Sequence, residues 1–97
     1  MNKNFLIKEI TQDLNIDYNV FLHQSQLLFI EEKLKQIKAD IHEIAGKYNI
    51  RSIIDFDKLY KEGKLEEHTS FEDFKKLDRL EYLRDKLESH LSQMKNG

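Results

Sequence analysis

Four histidines, at 23, 42, 68 and 90, and eighteen carboxylates are the side chains with which this chain could do chemistry. His42-Glu43-Ile44-Ala45-Gly46 comes closest to a known pattern, one residue short of the zinc-protease signature H-E-x-x-H. That chemistry needs two imidazoles one helical turn apart, both reaching one Zn²⁺, and Gly46 stands where the second would be. His42 therefore reads as a solvated histidine on a charged helix face. A carboxylate-bridged di-iron bundle needs Glu-x-x-His, yet Val20, Ala39, Leu65 and Leu87 stand three residues before the histidines. His23 lies on an apolar seam and His90 beside the matching face of another helix, at different levels. Polar seam residues more often set register or oligomeric state than bind metal.

Nucleophilic catalysis has as little to work with. The chain has no cysteine, no Gly-x-Ser-x-Gly elbow and no glycine-rich phosphate loop. The carboxylates Glu31, Glu32, Asp40, Glu43, Asp73 and Glu81 interleave with lysine at helical spacing, the pattern of solvated helix faces. Helical mutases of the chorismate type are this size but grip a dianion with several arginines. Arg51, Arg79 and Arg84 are the chain's three, and their spacing does not resemble that family. The expectation is no enzyme, no metal and no cofactor.

The elements that carry these residues are helices. With 97 residues and no proline, the chain suits a single domain of uninterrupted helices. Sixteen basic against eighteen acidic residues, mixed in sign along the chain, provide no field for nucleic acid or anionic membrane. No apolar run nears the roughly 20 residues of a membrane span. Together with an N-terminus that turns acidic early, this predicts a cytoplasmic protein.

Four segments show helical periodicity. The first, about 4–14, aligns Leu6, Ile7, Ile10 and Leu14, with Asn4 able to cap it. The second, about 17–48, steps by threes and fours through Ile16, Val20, His23, Leu27, Ile30, Leu34, Ile37, Ile41, Ile44 and Tyr48, a sustained heptad seam. The third, about 52–62, places Ile53, Phe56 and Tyr60 on one face between a Ser52 cap and Gly63. The fourth, about 70–94, opens on a Thr69–Glu72 capping box and turns Phe74, Leu77, Leu80, Leu83, Leu87, Leu91 and Met94 inward. The predicted fold is all-α: an antiparallel, coiled-coil-like hairpin of the two long helices, with a short N-terminal helix and a short connecting helix.

Helix lengths locate the candidate functional surface. At about 1.5 Å per residue the fourth helix is the shorter, and it gives out near residue 23 of the second. The overhanging start carries apolar residues on several faces: Ile16, Val20, His23 and Leu27 on the seam, Phe21 and Leu28 on a second stripe, Leu22 and Phe29 on a third. The first helix, folded back, can cover one side. Contact with another chain is expected for the rest, as a homodimer or an intermolecular helical bundle, or with another protein.

An alternative is a small nucleic-acid-associated regulator using Lys58, Lys61 and Lys64, or Lys75, Lys76 and Arg79. Lysine stripes with acidic neighbours are usually soluble surface, and no helix-turn-helix accompanies them. From about Ile41 to Leu91 the layout also resembles small helical antitoxin-like prokaryotic proteins. The matching features are a heptad helix ending in Lys47-Tyr48-Asn49, a short helix with Phe56 closed by Gly63-Lys64-Leu65, an acidic Glu72-Asp73, and a leucine-rich helix with Leu80, Leu83 and Leu87. That resemblance implies a protein that binds and neutralises another protein, with no active-site residue carried over.

Overall fold

The computed structural model describes residues 2–65 and 67–96, without the side chains of residues 67–69. Four helices follow in order: α1 (Lys3–Asp13), α2 (Tyr18–Tyr48), α3 (Ile53–Lys61) and α4 (Glu67–Asn96). No strand occurs among the described residues.

Local chemistry sets most of the boundaries. α1 is capped by Asn2, whose Oδ1 accepts from the Asn4 N–H at 2.8 Å, so the cap lies two residues before the Asn4 expected from sequence. Asp17 caps α2 by accepting from the N–H groups of Asn19 and Val20 at 2.9 and 3.1 Å. Asn49 ends α2 in the left-handed region at φ 54°, a conformation asparagine adopts more readily than other residues with a side chain. Gly63 closes the turn after α3 at φ 67°.

Two helix starts differ from expectation. Ser52 flanks α3 but makes no side-chain cap bond. The Ile53 N–H instead donates 2.7 Å to Glu81 Oε2, so a carboxylate from α4 occupies the positive end of α3. α4 begins at Glu67, which leaves Thr69 inside the helix and not at its N-cap; the Thr69 side chain of the expected Thr69–Glu72 capping box lies outside those described.

α2 and α4 run antiparallel. Ion pairs mark their alignment: Lys47–Asp73 at 2.7 Å near the closed end, Lys38–Glu88 at 3.1 Å, and Glu31–Lys95 at 3.1 Å at the far end. The core lies between them and under α3. Ile37, Ile41, Ile44, Phe56, Leu77 and Leu80 form its buried centre, and Tyr48, Tyr60, Phe74, Leu83 and Leu87 pack against it half-buried. Phe56, fully buried, stands at 4.6 Å from the Tyr48 ring, 5.5 Å from Tyr60 and 5.4 Å from Phe74.

Candidate functional site

The alignment of α4 decides which part of α2 is left over. Its first residues pass beneath α3, where the hydroxyls of Tyr60 and Ser70 bond at 2.6 Å, and the pairing with α2 starts only near Asp73. Asn96, the last residue of α4, is consequently level with about residue 30 of α2, and not with the 23 expected from helix lengths alone. Residues 18–30 project beyond it by roughly 20 Å. This accounts for much of the elongated shape, 61 × 30 × 17 Å.

The expected interface residues all fall on or beside this projection, and the structure separates them. Leu28 and Phe29 are the barest, at 63% and 68% exposure, and Ile16, Val20 and His23 are also exposed. Phe21, Leu22 and Leu27 are half-buried. α1 meets the start of α2 at the corner between them. There the Ile16 N–H donates to the Thr11 carbonyl at 2.8 Å, Thr11 is buried, and the Lys8 ammonium lies 5.7 Å from the Tyr18 ring centre. α1 leaves most of its own large apolar side chains uncovered at that corner. Phe5, Leu6, Ile10 and Leu14 remain exposed.

Of the eleven large apolar side chains left exposed among the described residues, eight lie between Phe5 and Phe29. The other three, Ile54, Phe71 and Tyr82, are dispersed over α3 and α4. Between Asp17 and Glu31 the sequence has no Lys, Arg, Asp or Glu. That stretch of α2 is both apolar and without formal charge.

Several polar side chains of the hairpin hold it together. Asp73 accepts from Lys47 Nζ at 2.7 Å and from the Tyr48 hydroxyl at 2.5 Å. Those bonds, the Lys47 one foremost, hold the Asp73 carboxyl below the usual carboxylate range. Burial, and then donation to Asp73, push the Tyr48 phenol up, and the bond to Asp73 raises Lys47. Asp73 and Glu81 are thus not the solvated carboxylates their lysine-rich surroundings suggested. Each has a partner far away in sequence, which helical spacing cannot reveal.

Two shallow grooves run along the hairpin. One, of about 490 Å³, is lined by Lys38, Ile41, His42, Arg51, Arg84, Asp85 and Glu88. Its Lys38 and Arg84 are already paired with Glu88 and Asp85. The other, of about 370 Å³, lies at the end of α4 between Leu34, Leu91 and Lys95. Among the described residues no group of three histidine or acidic side chains could hold a metal ion. His23, His42 and His90 are exposed. No helix there is long and apolar enough to cross a membrane.

Fold and surface together define a helical-hairpin protein with an exposed apolar tip. The chain belongs to the Uncharacterized protein MJ0235 family, whose model matches residues 1–97. No curated protein and no solved structure matches it.

Proposed function

We propose that this protein is a non-enzymatic helical interaction module that associates with protein through its N-terminal tip, formed by α1 and residues 16–30. The observation that carries this reading is the concentration of eight of the eleven exposed large apolar side chains in that one region. Scattered exposed leucines are ordinary, whereas a contiguous apolar patch marks an interaction site. The hairpin serves as a handle: its core is closed, and among the described residues no buried side-chain polar atom lacks a partner.

The residues that carry the antitoxin-like resemblance fit the handle better than the tip. Tyr48 bonds Asp73, Asn49 and Gly63 adopt the left-handed turns, and Phe56 fills the core. They support the bundle, and any neutralised partner would dock at the tip. Nucleic acid suits the surface less well. Lys61 pairs with Asp57, Lys64 with Glu62 and Lys75 with Glu72, so half of the cations in the two stripes are matched by a carboxylate where they stand.

Photo-cross-linking tests the assignment. A benzophenone amino acid at Phe29, expressed in the native host, is expected to give protein adducts, to itself or to another chain, with none from the same group at Lys58. Adducts from position 58 and none from position 29 would overturn it.

A further inference from the structure

We propose that the occupant of the tip is a second copy of this chain, docked antiparallel about a two-fold axis near His23 and Gln24. The inference rests on the interaction reading above and names its partner.

The first support is area. Eight side chains between 40% and 68% exposed, each presenting roughly 150–200 Å² when free, leave about 700 Å² on one chain. A stable interface needs about 800 Å² per partner. Two such tips facing each other approach what a dimer requires, and the half-buried Phe21, Leu22 and Leu27 add to that area.

The second support is charge. A partner of different sequence is selected by complementary charges at the rim, yet Asp17 to Glu31 encloses a stretch without a formal charge. Such a surface is complementary to itself. α1 adds Lys3 and Lys8 balanced by Glu9 and Asp13, so the tip has no net positive charge with which to hold an anionic lipid surface.

The third support is continuity. Ile16, Val20 and Leu27 prolong the line of Leu34 and Ile41 along which α4 packs, while Phe29 lies about 160° round the helix from it. The groove at the end of α4, with Leu34 and Leu91 on its walls, lies where α4 stops along that line. A second α2 entering there antiparallel, its first turn following on from Asn96, sets Tyr18 of one chain level with Ile30 of the other. The axis then falls midway, beside Gln24. The same placement brings the α1–α2 corner of the second copy, with its exposed Leu14, level with Leu28 and Phe29 of the first. Each chain thus supplies the corner that the other's off-line apolar residues lack, the reciprocal pattern of a two-fold contact.

The absence of native cysteine makes the test clean. His23→Cys, Gln24→Cys and Lys33→Cys are each placed at an exposed position, and circular dichroism checks that they stay folded. Under mild oxidation at tens of micromolar, His23→Cys or Gln24→Cys is expected to form a disulfide-linked dimer, since a disulfide needs Cα atoms within about 7 Å. Lys33→Cys is not, because its two copies stand roughly 27 Å apart along the bundle. Sedimentation of the wild type should show the dimer without any cross-link. A monomer at 100 micromolar, or a dimer linked through residue 33 and not through 23 or 24, would overturn the second copy or its placement. Adducts from position 29 to a different protein only would overturn the second copy and leave the interaction reading standing.

Discussion

Phe56→Ala probes the handle on which everything else depends. The ring is fully buried and meets Tyr48, Tyr60 and Phe74, three of its contacts coming from three different helices. Truncating a buried phenylalanine costs about 3–5 kcal/mol, the upper part of that range applying where neighbours cannot collapse into the space. Here the neighbours are held: Tyr48 by Asp73 and Tyr60 by Ser70. A loss of about 4 kcal/mol is expected, a large share of the roughly 5–15 kcal/mol that stabilises a small protein. With a urea dependence of about 1–1.5 kcal/mol per molar, the midpoint should fall by about 3 M. Phe56→Leu keeps part of the volume and should lose about 1–2 kcal/mol, which provides a measurable point if the alanine variant is unfolded in water. The assay is urea unfolding followed by circular dichroism at 222 nm. A loss under about 1 kcal/mol for Phe56→Ala would refute the placement of α3 over the hairpin.

Three further outcomes are expected. Glu81→Ala should destabilise by about 1.5–3 kcal/mol, because it removes a charged acceptor from the N-terminus of α3, whereas Ser52→Ala, with no cap bond to lose, should change urea stability by less than about 0.5 kcal/mol. Ile37→Ala should cost about 2–5 kcal/mol and His42→Ala under about 0.5 kcal/mol, the first being buried on the seam and the second exposed. Asp73 sits below the ordinary carboxylate range, so its contribution is present above the unfolded carboxyl's pKa and is lost as pH falls through the folded one. Lys47 and Tyr48 are raised, so theirs is present below pH 10 and lost as pH rises through their folded values; thermal melts of Asp73→Asn should show both the acid and the alkaline losses reduced.

What the sequence makes legible, and what it hides, divides along locality. The seam from Leu34 to Tyr48 and the inward residues of α4 follow from spacing alone, because an amphipathic helix repeats its core face every three or four residues. The same rule fails toward the N-terminus. Val20 and His23 continue the pattern flawlessly and are exposed, since periodicity says which side a residue faces and nothing about whether another helix reaches it. How far α4 reaches depends on its first turns passing under α3, a tertiary fact without a local signal. Glu81 and Asp73 were hidden for a similar reason, each surrounded by charges that suggested solvent while bonding to a group twenty-five or more residues away. The interface residues were visible as a surplus of apolar surface. That α1 would leave its own face exposed, and so enlarge the surface, was not.

The apolar tip is tested most directly by sedimentation of the wild type beside a Val20→Glu/Phe29→Glu double variant. Both positions are more than half exposed, so the charges burden the association and leave the fold intact. The wild type is expected to sediment as a dimer at tens of micromolar and the variant as a monomer with an unchanged helical spectrum. A variant that remains dimeric, or a wild type that is monomeric across that range, would contradict self-association of this chain through its N-terminal tip.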